Sequence, residues 1–274
     1  MLFFHPSNRF RKGYFQFFKH FLGVVGVYLT VLGLILPTGA QTNWYCTRAG
    51  EHRQPVADAD LRQVEAWDGY YVDHRHTDPE DADKVVYLTF DVGYENGNVA
   101  KVLDALKEEG ARGAFFILGH VAEKCPKLVQ RMAAEGHLVC NHTYSHRNLC
   151  GVPVGALGEE LIHLENACKQ SCGVTVSKYY RPPEGSFDTA MLKEAKSLGY
   201  KTIFWSFAYA DWDNGRQPDP AVAKKKILDN LHNGAVILLH PTSATNAAIL
   251  GDILRDMKAQ GYRFGTLDEL TGGD

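Results

Sequence analysis

The chain has 274 residues, 45% hydrophobic and 22% charged, ordinary for a globular protein and enough for one large domain or two small ones. Its 29 lysines and arginines against 32 aspartates and glutamates leave a formal charge of -3, with no long block of either sign. No basic stripe offers phosphates a landing surface, which excludes a nucleic-acid partner on electrostatic grounds.

At the N-terminus, Arg9, Arg11, Lys12 and Lys19 precede an almost unbroken apolar run over 21–36. Pro37 closes the run, and Thr38, Gly39 and Ala40 place small residues where a signal peptidase needs them. Residues 1–40 therefore read as an export signal cleaved after Ala40. The alternative is an uncleaved anchor, since the run spans about 24 Å as a helix against a ~30 Å hydrocarbon core. Under either reading the remaining chain is exported, and only this segment meets the membrane.

Residues 41–83 form a polar extension broken by Pro55 and Pro79, a linker or a strap over the main domain; Trp67, Tyr70 and Tyr71 indicate that part of it packs. The six cysteines (Cys46, Cys125, Cys140, Cys150, Cys168 and Cys172) would meet a disulfide-permissive environment after export. Their spacing specifies no pairing. Cys140, in an apolar segment, reads as a buried thiol, and Cys168 and Cys172 sit four apart on a predicted helix, a poor geometry for a bridge.

From Lys84 onward, short apolar runs alternate with helix-like segments. The runs are 85–90, 114–118, 138–141, 179–181, 202–207, 236–240 and a weaker 263–267. They are strand-length and continuous rather than alternating, as strands buried on both faces should be. Between them lie predicted helices over 99–109, 128–134, 157–167, 190–198, 221–231 and 247–259, most of them stopping just before or at a glycine. About seven β–α units argue for a parallel α/β barrel or a doubly wound sheet over 84–270.

The chemically able residues collect at the C-terminal ends of these runs. Asp91 follows 87–90, His142 follows 138–141, Arg181 follows Tyr179 and Tyr180, Asp211 comes soon after 205–207, and His240 ends 236–239. In parallel barrels the active site is assembled at that end, each strand delivering one side chain. His142 and His146 are four residues apart, one helical turn, where both imidazoles reach one divalent ion. Taken singly, Asp91 is a helix-capping aspartate, His240 a core histidine, Arg181 an ion-pair residue, and Asp211 a loop carboxylate. Their convergence on one end of one sheet favours an enzyme.

These segments carry a resemblance. Thr89-Phe90-Asp91-Val92-Gly93-Tyr94-Glu95-Asn96, then Asn141-His142-Thr143-Tyr144-Ser145-His146, Arg181-Pro182-Pro183-Glu184-Gly185, Asp211-Trp212 and Leu238-Leu239-His240 resemble the five ordered motifs of the polysaccharide deacetylase (NodB-homology, carbohydrate esterase family 4) family. The Gly-Tyr-Glu-Asn extension of the first motif and the Arg-Pro-Pro-x-Gly-x-Phe form of the third are similar to the delta-lactam-biosynthetic, PdaA-like branch. The resemblance implies a distorted (β/α) barrel and removal of acetyl groups from N-acetylmuramic acid in the glycan strands of peptidoglycan, typically of the spore cortex, by a monomeric enzyme. It implies Asp91 as general base, Arg181 as its partner, His240 as general acid and Asp211 as the group that favours its protonated form. It also implies His142 and His146 as ligands of a divalent metal ion (zinc, cobalt or manganese) and the backbone N–H near Glu184 as an oxyanion donor.

One position departs. The family's usual second aspartate, a metal ligand, is Val92 here, which coordinates nothing. Glu95, Asn96 or a bound phosphate or acetate are candidates to complete the shell. Two other readings stay open: a deacetylase acting on N-acetylglucosamine in peptidoglycan or chitin, and a metal-free degenerate domain that binds glycan without cleaving it.

Overall fold

The computed structural model describes residues 40–273. The predicted export signal or anchor over 1–40 lies outside the described residues except for Ala40. Among the described residues, no helix is long and apolar enough to cross a membrane.

The described residues form ten strands: β1 (Thr42–Asn43), β2 (Gly69–Tyr70), β3 (Lys84–Val92), β4 (Ala114–Ile117), β5 (Leu138–Asn141), β6 (Ser177–Tyr180), β7 (Ser186–Phe187), β8 (Lys201–Ile203), β9 (Ala235–Leu239) and β10 (Tyr262–Gly265). The seven predicted strands are β3, β4, β5, β6, β8, β9 and β10, and every pairing among them is parallel. The long β3 carries three partners, β10 along 84–87, β9 along 86–90 and β4 along 89–92. From β4 the sheet continues through β5 and β6 to β8. A parallel bridge between Phe207 and Ile237 brings the segment after β8 back to β9, so the sheet curls into an open barrel.

Burial on both faces explains why these strands are continuous apolar runs. On β3, Val86, Leu88, Phe90 and Val92 enter one cluster with the helices Asn98–Glu108 and Ala244–Ala259. The alternate residues Val85 and Tyr87 meet Phe116, Cys140, Tyr179, Ile203 and Val236 in a second cluster. The period of two therefore assigns Asp91 to the face of Val85 and Tyr87, and Val92 to the opposite one.

Several boundaries differ from the sequence reading. Within the run 202–207 the strand β8 ends at Ile203, and Phe207 pairs separately with Ile237 of β9. Arg181 lies just past the end of β6. The last strand stops at Gly265, and Leu267 begins a short helix, Leu267–Leu270. The helix Gly119–Lys124 escaped the sequence reading because its six residues are too few to show a period.

Residues of the extension pack on the barrel. β2 pairs in parallel with β8, β1 pairs antiparallel with β7, and Trp44, Leu61, Val64, Tyr71 and Val72 cluster with Phe187 and Phe204. All six cysteines are free thiols, and Cys140 is fully buried in the inner cluster.

Candidate active site

β3 carries Asp91 to the mouth of the barrel, where the residue is 7% exposed. Arg181, wholly buried, enters from the end of β6 and fills the centre beneath it. Its Nη1 donates to Asp91 Oδ1 at 2.7 Å and its Nη2 to Thr89 Oγ1 at 2.9 Å. Nε donates to the Ile203 carbonyl at 2.9 Å and Nη2 also to that of Phe204 at 3.2 Å. The guanidinium lies 4.2 Å from the ring centroid of Phe116. Burial alone would raise the Asp91 pKa, but Arg181, followed by His142 and His240, outweighs it and holds the carboxyl below its ordinary value.

His142 follows β5. Its Nδ1 donates to the Arg181 carbonyl at 2.9 Å, which leaves Nε2 unprotonated in the neutral ring and 3.6 Å from Asp91 Oδ2. Burial pushes its pKa down to about 4, so the ring is neutral, as a metal ligand must be. The His146 ring lies 4.9 Å from that of His142, inclined at 72°. The two histidines do not come together on a helical turn as their spacing predicts. Residues 142–146 are a loop, with Thr143 (φ 70°) and His146 (φ 58°) both left-handed.

Side chains pay for that strained path: Asn141 Oδ1 accepts from Thr143 N at 2.9 Å, and Thr143 Oγ1 from His146 N at 3.0 Å. Glu160, on the helix Ala156–Cys172, accepts from both the N and the Oγ of Ser145 at 2.8 Å. Gly119 completes the support, since a Cβ there would sit 2.2 Å from the ring of Tyr144.

Across the mouth, His240 N and Nδ1 donate to Asp211 at 2.8 and 2.7 Å. The wholly buried Asp211 carboxylate also accepts from Asn246 Nδ2 at 2.6 Å. Nδ1 being occupied, His240 has Nε2 left for the cavity it lines. Burial would lower the His240 pKa, but the hydrogen bond and charge of Asp211, with Asp91 further off, reverse this and raise it.

Asp91, His142, His146 and His240 line one cavity of ~710 Å³, walled by Glu184, Trp205 and Trp212 among others. A volume of that order is that of a ligand-binding cleft. Arg181 and Asp211 lie behind this wall and act on it through Asp91 and His240. The fold therefore brings all six residues together at one end of the sheet. Thr89, Asn141, Glu160 and Asn246, to which the sequence assigned no role, support them or the loop that carries His146. Each is a polar residue in an otherwise apolar run or helix face, and that interruption was the available signal.

Val92 does not line the cavity and is wholly buried in the helix-facing cluster. Glu95 and Asn96 do not line the cavity. Glu95 Oε1 accepts from Gly97 N at 2.8 Å, while Asn96 donates to the Thr242 carbonyl at 2.9 Å and accepts from Asn98 N at 3.2 Å, shaping the turn before Asn98–Glu108. Among the described residues, no three His, Cys, Asp or Glu side chains gather closely enough to hold a metal ion. His142 and His146 bring two imidazoles together at the cavity wall, their ring centroids 4.9 Å apart.

A model of the polysaccharide deacetylase family matches residues 78–203, a stretch that holds Asp91, His142, His146 and Arg181. The peptidoglycan-N-acetylmuramic acid deacetylase PdaA of Bacillus subtilis is 38% identical over 229 residues, which are 83% of this chain and 85% of that protein. The chain belongs to the polysaccharide deacetylase family. The solved structure of Bacillus subtilis PdaA, a family 4 carbohydrate esterase, matches with a TM-score of 0.80 at 37% identity, covering 86% of this chain and 99% of the other. The curled parallel barrel is thus the fold of that family, and the chain is a de-N-acetylase, a hydrolase. A peptidoglycan-N-acetylglucosamine deacetylase of Bacillus cereus is 35% identical over 189 residues, 68% of this chain and 67% of its own. The structure of a family 4 pseudoenzyme from Bacillus anthracis matches at 25% identity with a TM-score of 0.65, over 74% of this chain and 68% of that one. The fold alone therefore does not confer activity, and the side chains of the site must carry that argument.

Proposed function

We propose that the deacetylase acts outside the cell, after export, on peptidoglycan glycan strands and removes the acetyl group of N-acetylmuramic acid. The reading is supported by the similarity to PdaA, which extends over 83% of the chain against 68% for the N-acetylglucosamine deacetylase. Muramic delta-lactam formation in a spore cortex is the finer form of the same proposal.

The observation that carries the chemistry is the pairing of an ionised carboxylate with a protonatable imidazole across one cavity. Asp91 takes a proton from the attacking water as its oxygen bonds to the acetyl carbon. The C–N bond then breaks, and His240 Nε2–H gives its proton to the departing nitrogen, leaving acetate and a free amine. The arrangement suits these roles, since Arg181 keeps Asp91 ionised and Asp211 favours protonated His240. A carboxylate held below its ordinary pKa is a weaker base than usual, and a more acidic water would match it better. A divalent ion on His142 and His146 supplies that chemistry when bound, acidifying the water and polarising the acetyl oxygen. With Val92 in place of an anionic ligand, His142 and His146 would hold such an ion more weakly and would leave more of its charge unneutralised.

Incubated with peptide-stripped glycan strands and zinc, cobalt or manganese, the protein should release acetate, and a chelator should stop it. Mass spectrometry of the digested strands should place the loss of 42 mass units (about one acetyl replaced by hydrogen, from the bond balance of amide hydrolysis) on muramic acid. Loss from glucosamine instead would overturn the substrate, and no acetate with any of the three metals would overturn the activity.

A second expectation concerns pH. Activity should fall on the alkaline side as His240 loses its proton, at a pH above the ordinary histidine value. Asp211→Asn removes the charge that raises it, so burial should dominate and the alkaline limb should move to lower pH. At neutral pH kcat/KM should drop by about 10²-fold, the lower end of general-acid contributions. A pH–rate profile of the variant with an unmoved alkaline limb would remove His240 from the role of acid.

A further inference from the structure

The segment just after the expected cleavage point touches three parts of the cavity wall, and of the two expectations for it, linker or strap, these contacts favour the strap. Thr42 and Asn43 pair antiparallel with Phe187 and Ser186, extending the loop of the third motif into a two-stranded ribbon. Trp44 N then donates to the Gly185 carbonyl at 2.9 Å, and its indole Nε1 to the Trp205 carbonyl at 2.8 Å. The Trp44 side chain is 5% exposed, stacked on Phe204 at 4.6 Å and tilted against Tyr71 at 4.8 Å. Further along, Arg48 Nη2 donates to the Ala208 carbonyl at 3.3 Å. Gly185, Trp205 and Ala208 all line the reaction cavity.

The loop these contacts hold is one that would not rest in place unaided. Glu184, also on the cavity wall, has φ 59° and Gly185 φ 68°, two consecutive left-handed residues. A non-glycine residue in that region persists only where its surroundings over-determine it. Gly185 is wedged between the two tryptophans, for a Cβ there would lie 2.7 Å from the Trp205 ring and 3.3 Å from Trp44 Cβ. On the other side of the loop, Ser186 Oγ donates to Asn43 Oδ1 at 2.8 Å. Asn148, two residues beyond His146, donates to Gln41 Oε1 at 3.3 Å.

We infer that residues 41–48 are a strap that sets the shape of the glycan-binding wall, with Trp44 as the positioning residue that fixes Glu184, Gly185 and Trp205. The inference rests on the deacetylase reading for its substrate but concerns residues outside the five motifs. Trp44 touches no reacting atom and acts through Gly185 and Trp205. Loosening the strap therefore changes how substrate is held, not how Asp91 and His240 move protons.

The test measures KM and kcat for acetate release from a peptide-free glycan tetrasaccharide, and its Kd by calorimetry, in the full chain. Trp44→Ala should raise KM and Kd by about tenfold, a modest fraction of what a ~1 Å misplacement can cost, with the pH profile unmoved. Trp44→Phe keeps a ring on Phe204 but lacks the Nε1 donor and should show a smaller rise of the same kind. Leu61→Ala is the control: Leu61 is buried in the same apolar cluster but lines no part of the cavity, so Tm should fall with KM and Kd unchanged. If Trp44→Ala does not fold, Trp44→Phe and the exposed Asn43→Ala decide the matter by the same readouts. Unchanged KM and Kd in the Trp44 and Asn43 variants, with only a loss of Tm, would overturn the strap. Absence of acetate from the unaltered chain would instead count against the deacetylase reading, and the Kd series would still judge the strap.

Discussion

Asp91→Asn is expected to lower kcat/KM for acetate release by about 10³-fold, the middle of the range for a positioned general base. The amide is nearly the shape of the carboxylate. Its Oδ1 can still accept from Arg181 Nη1, and Arg181 keeps its bonds to Thr89, Ile203 and Phe204. The fold should therefore survive, and far-UV circular dichroism should match that of the unaltered chain. His142 and His146 keep their positions, because the His142 ring is oriented by the backbone carbonyl of Arg181 rather than by Asp91. Metal titration should accordingly show no large loss of affinity. A variant that folds, binds metal and cannot hydrolyse isolates the proton acceptor. Activity within tenfold of the unaltered chain would move the base elsewhere in the cavity.

The legibility of this site in the sequence has a physical origin. A strand buried on both faces is a run of Val, Ile, Leu and Phe, so an ionisable residue at its end stands out against it, as Asp91 does after Tyr87-Leu88-Thr89-Phe90. The same contrast exposed His142, Arg181 and His240. Elements with short-range periodicity, such as the helix Asn98–Glu108, were legible for a related reason. Pairings between distant residues were not. Nothing local in Thr42-Asn43-Trp44 shows that it pairs with Ser186 and Phe187, and two-residue strands carry no alternation to read. The path of the His142–His146 loop was also hidden. A four-residue spacing reads as a helical turn, whereas the left-handed Thr143 and His146 are stabilised by Asn141 and Glu160, which lie outside that pattern. Val92 shows the limit from the other side. Its identity revealed a missing ligand, but only the packing shows that the position now belongs to the helix-facing core.

Arg181→Met should damage both stability and catalysis, for one reason. Methionine replaces much of the side chain's stem but none of its donors, and it leaves the Asp91 carboxylate buried without its cation. Breaking a buried pair in this way costs about 3–5 kcal/mol, and in a domain of this size that is a fall in Tm on the order of 10 °C. The pH dependence gives the sharper test. In the unaltered chain the Asp91 carboxyl is held below its unfolded value, so its contribution to stability is present above that value and is lost as pH falls through the lower, folded one. Without Arg181 the largest remaining influence is burial, which acts in the opposite direction, opposed only by His142 and His240. The carboxyl pKa should rise, Asp91 should take up a proton closer to neutrality, and the acid limb of the rate profile should move to higher pH. Arg181→Lys should not rescue it, because one ammonium cannot reach Asp91, Thr89, Ile203 and Phe204 together as the planar guanidinium does. Calorimetry and pH–rate profiles of both variants measure the two effects separately. An acid limb that stays in place while Tm falls would mean that Arg181 holds the barrel together without governing the charge of Asp91.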